Sequence, residues 1–73
     1  MKHERIDVDP RIMMGKPVIR GTRITVEHVL RKLAAGLSAA EIIDDHPHLT
    51  GEDIRAAQAF AADYLAGEEV FLA

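Results

Sequence analysis

A chain of 73 residues with 48% hydrophobic residues and no cysteine makes one domain at most, and neither disulfides nor thiolate metal sites stabilise it. A core this small is marginal alone, so stability is expected to come partly from a partner, either a second copy or another protein. The net charge of −3 conceals a polarity: residues 1–32 carry eight lysines and arginines against four acids, and residues 33–73 carry one arginine against eight acids.

In chain order, Ile6-Asp7-Val8 alternates apolar and polar residues, the period of a short strand with one buried face, and Asp9-Pro10 ends it. Further extended segments are expected at Val18-Ile19 and Arg23-Ile24-Thr25, with a tight turn at Gly21-Thr22 between them. Residues 1–24 thus read as a β arm with a glycine-bounded basic loop. Two or three short strands are not stable alone, so the arm must lie on something.

Helix signals begin at Thr25, a capping residue, with Glu27 in the first turn and an apolar stripe of Val26, Val29, Leu30 and Leu33. Gly36 supplies a left-handed stop. Ser38 and Glu41 have capping-box spacing and open a short helix with Ile42 and Ile43 inward, which Pro47 closes. Thr50 and Asp53 open a third helix whose inward stripe is Ile54, Ala57, Ala61, Tyr64 and Leu65, with Gly67 as its stop. The predicted architecture is mainly α: a short N-terminal β arm (1–24), a three-helix, helix-turn-helix-like bundle (25–67) and a C-terminal tail (68–73).

The run Gly15-Lys16-Pro17-Val18-Ile19-Arg20-Gly21-Thr22-Arg23-Ile24-Thr25-Val26 closely resembles the signature of the short bacterial family called domain of unknown function 433. Leu33-Ala34-Ala35-Gly36-Leu37-Ser38, Glu41-Ile42-Ile43, Pro47-His48-Leu49-Thr50 and Asp53-Ile54-Arg55-Ala56-Ala57 extend the resemblance over residues 6–64. Met14 stands where members often carry glycine, and Thr25 where they often carry proline. Many members look like VapB-type antitoxins. The resemblance therefore implies a compact three-helix domain with a β arm, and a toxin, usually a PIN-like ribonuclease, that the chain binds and silences.

The residues themselves allow several surfaces. Lys16, Arg20 and Arg23 project from a glycine-bounded loop that suits phosphate or carboxylate, or else pair with Asp7, Asp9 or Glu27 and fix the arm. As a DNA interface, Lys16, Arg20, Arg23, Arg31, Lys32, Arg55 and Gln58 are the candidates, supported by Arg11, because Glu52 and Asp53 make the start of the third helix a poor reader of phosphates. Tyr64, Val70, Phe71 and Leu72 are the candidate toxin contacts. Ile6 and Val8 are the candidate dimer edge. The histidines read as caps and loop packing, and no metal, cofactor or catalytic activity is expected. With no apolar run near 20 residues and a charged start, the expected location is the cytoplasm. The leading expectation is an antitoxin that inhibits a PIN-like ribonuclease toxin and helps repress its own operon; the alternative is a stand-alone DNA-binding regulator.

Overall fold

The computed structural model describes the backbone of residues 3–72 and the side chains of residues 3–67. Two strands, β1 (Ile6–Asp7) and β2 (Val18–Ile19), pair antiparallel with Ile6 opposite Ile19 and Asp7 opposite Val18. A single 3-10 turn, Met13–Gly15, lies in the loop between them. Three helices follow: α1 (Val26–Ala34), α2 (Ala39–Asp45) and α3 (Gly51–Leu72). The architecture is therefore mainly helical, with a short β arm in front of a helical bundle, as the sequence predicts. Among the described residues no helix is long and apolar enough to cross a membrane.

Each helix start follows its capping chemistry. Thr25 Oγ1 accepts from His28 N at 3.0 Å and begins α1. Ser38 and Glu41 close a complete capping box at the head of α2, which holds the Glu41 carboxyl below its ordinary range, first through the Ser38 backbone amide and then through its hydroxyl. Gly36, at φ 98°, turns the chain out of α1 in a conformation that costs side-chain-bearing residues about 1 kcal/mol or more. α2 ends at Asp45, before Pro47, and residues 46–50 lead directly into α3 in the layout of a helix-turn-helix.

The core is built from both strands and all three helices. Ile6, Ile19, Val26, Val29, Ile42, Leu49, Ile54 and Ala57 form one buried cluster, with Val18 buried on β2 and Leu30, Leu33, Ile43 and Phe60 packed against its edge. The arm is thus a lid on the helices. His3 reinforces it, meeting Asp63 Oδ2 on α3 at 2.9 Å and the Phe60 ring edge-on at 5.3 Å.

Four expectations need correction. Arg23-Ile24-Thr25 is not a third strand: only an isolated bridge joins Thr25 to Val18, because α1 begins at the next residue. Ile6 is buried inside its own chain and its side chain is not a free dimer contact, whereas Val8 remains 60% exposed. Gly67 does not stop α3, which continues to Leu72, so residues 68–72 are helix and not a separate tail. A lone glycine costs a helix about 1 kcal/mol against alanine, and the five residues after it contain no breaker. Tyr64 and Leu65 face outward instead of inward, at 61% and 59% exposure. The reason is length. At 1.5 Å per residue the 22 residues of α3 run about 33 Å, against about 14 Å for the nine of α1, so the helix outlasts its cover.

Candidate protein-docking groove and the basic front

That mismatch in length leaves an open groove of about 480 Å³ between α1 and the second half of α3. Its floor and walls are Val26, Leu30 and Ala34 from α1, Phe60, Ala61, Tyr64 and Leu65 from α3, and Pro17 from the loop before β2. The helical period puts Val26, Leu30 and Ala34 on one face and Ala61 and Leu65 on the facing one. The groove mixes large side chains with small ones, Leu30, Tyr64 and Leu65 with Ala34 and Ala61. Tyr64 stacks on Phe60 with ring centroids 6.4 Å apart and planes 16° apart, which steadies the exposed phenol ring.

One rim of the groove is charged. Glu27 accepts from Lys16 Nζ at 3.2 Å and from Arg31 Nε at 3.0 Å, so a carboxylate sits between two cations. These contacts, Arg31 first and Lys16 next, hold the Glu27 carboxyl below its ordinary range. All three side chains are about half exposed or more, so the ion pairs are individually weak and exchange readily with other charged groups.

The candidate basic residues are mostly engaged within the chain. Arg20 donates to Asp7 at 3.0 Å across the β arm, and Lys32 Nζ lies 3.8 Å from Asp45. Arg11 is held by Asp9, which it holds below the ordinary carboxyl range through its side chain and then its backbone amide. Of the seven candidate DNA contacts, Lys16, Arg20, Arg31 and Lys32 have carboxylate partners. Arg23, Arg55 and Gln58 are exposed, and neither arginine has an ion pair among the described residues. The acids at the start of α3 are also partly occupied: Arg5 reaches Asp53 at 3.0 Å and Glu52 at 3.1 Å, and Asp53 is buried. The Arg5 guanidinium is raised in pKa by these contacts, most by Asp53. The expected DNA face is therefore less basic, and its helix less acidic, than the linear sequence indicates.

Of the candidate toxin contacts, Tyr64 lies in the groove, whereas the side chains of Val70, Phe71 and Leu72 lie outside the described residues. The other groove residues, Leu30, Ala34, Ala61 and Leu65, are not singled out as a binding surface by sequence. Their signal is the stripe on the third helix continuing two turns past the span that the first can cover.

The family described as protein of unknown function (DUF433) matches residues 6–61. An uncharacterized protein, y4eO, of Sinorhizobium fredii is 40% identical over 58 residues, covering 80% of this chain and 26% of that protein. An uncharacterized protein of Archaeoglobus fulgidus is 57% identical over 28 residues, covering 38% of this chain and 78% of that one. The crystal structure of a DUF433 member from Anabaena variabilis is similar with a TM-score of 0.78 and 30% identity, covering 81% of this chain and 58% of that one. The chain thus spans about a quarter of the Sinorhizobium protein and little more than half of the Anabaena one.

Proposed function

We propose that this chain, which belongs to the DUF433 family, acts by binding and not by catalysis, as an antitoxin that docks on a cognate PIN-like ribonuclease in the cytoplasm and inhibits it. The observation that carries this reading is the open groove between α1 and α3, in which Tyr64 and Leu65 are more than half exposed. A continuous apolar surface that mixes large side chains with small ones is the form of a protein contact. The charged rim adds selectivity. A ribonuclease that holds its metal with clustered carboxylates presents an acidic surface, and Lys16 and Arg31 can exchange Glu27 for such carboxylates.

A stand-alone DNA-binding regulator is the second reading. It draws on the helix-turn-helix layout of α2 and α3 and on Arg23 and Arg55. Four of the seven candidate contacts would first have to give up acids of the same chain, the same exchange that Lys16 and Arg31 make in the first reading.

The test is co-expression with the product of the adjacent gene, followed by purification on a tag carried by this chain. A complex that forms with the native chain and is lost with Leu65→Glu, while the variant keeps its helical spectrum, supports docking through the groove. Absence of any complex, or one indifferent to Leu65→Glu and Ala61→Glu alike, rejects it.

A further inference from the structure

On another face of α1 from the groove, a smaller depression of about 220 Å³ is lined by Met13, Arg23, Ile24, Thr25, His28 and His46. Three chain segments converge there. Arg23 belongs to the turn after β2, His28 to the first turn of α1, and His46 to the C-cap of α2. The sequence separates His28 from His46 by 18 positions, yet their rings meet edge to face with centroids 5.5 Å apart and planes 80° apart. The pair is not the His46 and His48 pair that proximity in the chain draws attention to.

We propose that Arg23, His28 and His46 form a binding spot for a single phosphate group. Four features point there. Arg20 and Arg31 each face a carboxylate of their own chain, whereas Arg23 has no ion pair among the described residues. No acid lines the depression, and Asp45, which precedes His46, is drawn toward Lys32. The ring nitrogens of His28 and His46 have no hydrogen-bond partner among the described residues. Thr25 Oγ1, in a residue only 8% exposed, accepts from His28 N and keeps its own proton to donate. A guanidinium fork, two imidazole N–H groups and a hydroxyl are all donors. A tetrahedral oxyanion with several acceptor oxygens matches that set. A metal ion matches it poorly, because it would have two imidazoles and a thioether beside a fixed positive charge. The same phosphate chemistry occurs in a nucleic-acid backbone and in free phosphate, and this site is independent of the groove and of its occupant.

Histidine side-chain signals of the full chain in ¹⁵N-edited NMR test the site, with inorganic phosphate titrated at constant ionic strength. Phosphate is expected to shift the His28 and His46 signals together and saturably. Arg23→Gln should weaken the effect about tenfold or more, the scale of one lost charged hydrogen bond. His48→Gln, which removes an exposed histidine outside the depression, should leave it unchanged. Arg23→Lys should retain part of it, since charge survives and the fork does not. If Arg23→Gln fails to fold, Arg23→Lys and His28→Gln carry the comparison. A short DNA duplex that displaces phosphate from the pair assigns the spot to a nucleic-acid backbone, and one that leaves phosphate in place assigns it to free phosphate or a small phosphate ester. Absence of a saturable shift, an equal shift in folded Arg23→Gln, or saturable binding of zinc without binding of phosphate overturns the proposal.

Discussion

Thr50 and Asp53 cap one another at the head of α3: Thr50 N donates to Asp53 Oδ2 at 3.0 Å, and Asp53 N donates to Thr50 Oγ1 at 3.2 Å. The other oxygen of Asp53 accepts from Arg5 at 3.0 Å, so one buried carboxylate starts the longest helix and ties the β arm to it. Asp53→Ala removes the cap and leaves Thr50 N and the Arg5 fork without that acceptor. The expected loss is about 2 kcal/mol, the sum of a capping bond and a partly buried charged hydrogen bond. Asp53→Asn retains an acceptor for Thr50 N and should lose less. Urea unfolding measures both, and equal midpoints for the alanine variant and the native chain would refute the shared role.

Met13 and Met14 have φ of 48° and 56°, a left-handed pair ahead of Gly15 at 84°. Outside glycine this region costs about 1–2 kcal/mol per residue. Met14 is 90% exposed, so its side chain supplies little packing in return. Met14→Gly is therefore expected to raise stability by up to about 1 kcal/mol, the backbone relief being partly offset by the greater entropy of the unfolded chain. The glycine that the family resemblance places here has the same physical rationale. A melting temperature lowered by Met14→Gly would show that the left-handed geometry is not strained.

The caps, the turn glycine at Gly36 and the apolar stripe of α1 were legible in sequence because each is a local rule acting over four or five residues. Ser38 with Glu41, and Thr50 with Asp53, form the bonds their spacing implies. What was not legible depends on relative length and on contacts distant in sequence. Tyr64 and Leu65 continue the periodicity of Ile54 and Ala57, and only the shortness of α1 turns a core stripe into an open groove. Gly67 has the identity of a stop but no local partner that enforces one. Arg20 and Asp7 are 13 residues apart, and Arg5 and Asp53 are 48 apart, so ion pairs that reshape the basic front leave no periodic trace.

Glu27 and Asp9 have carboxyl pKa values held below their ordinary 4.5 and 3.8 by Arg31 with Lys16, and by Arg11. A depressed folded-state value contributes stability that is present above the unfolded value and lost as pH falls through the folded one. The melting temperature should therefore fall below about pH 4.5, with Glu27→Gln showing a shallower fall. Because these groups are exposed, added salt should flatten the profile further. A Glu27→Gln profile parallel to that of the native chain down to low pH would remove Glu27 from the acid transition.

The same carboxylate sets how much positive charge the chain offers to a polyanion. Glu27 occupies Lys16 and Arg31 together, and its removal leaves both cations without that partner beside the groove. Glu27→Gln should then bind DNA of any sequence more tightly than the native chain. The dependence of log affinity on log salt should steepen by about one to two, because each newly available cation can displace roughly one counterion. Asp44→Asn, at an exposed acid on α2 without an ion pair among the described residues, controls for the change in net charge alone: it alters the total equally but leaves Lys16 and Arg31 engaged. Fluorescence anisotropy with a short duplex over a range of salt separates the two. A steeper slope in Glu27→Gln than in Asp44→Asn identifies the Lys16 and Arg31 rim as a latent phosphate-contacting surface restrained by Glu27. Equal slopes would mean that the rim makes no phosphate contact.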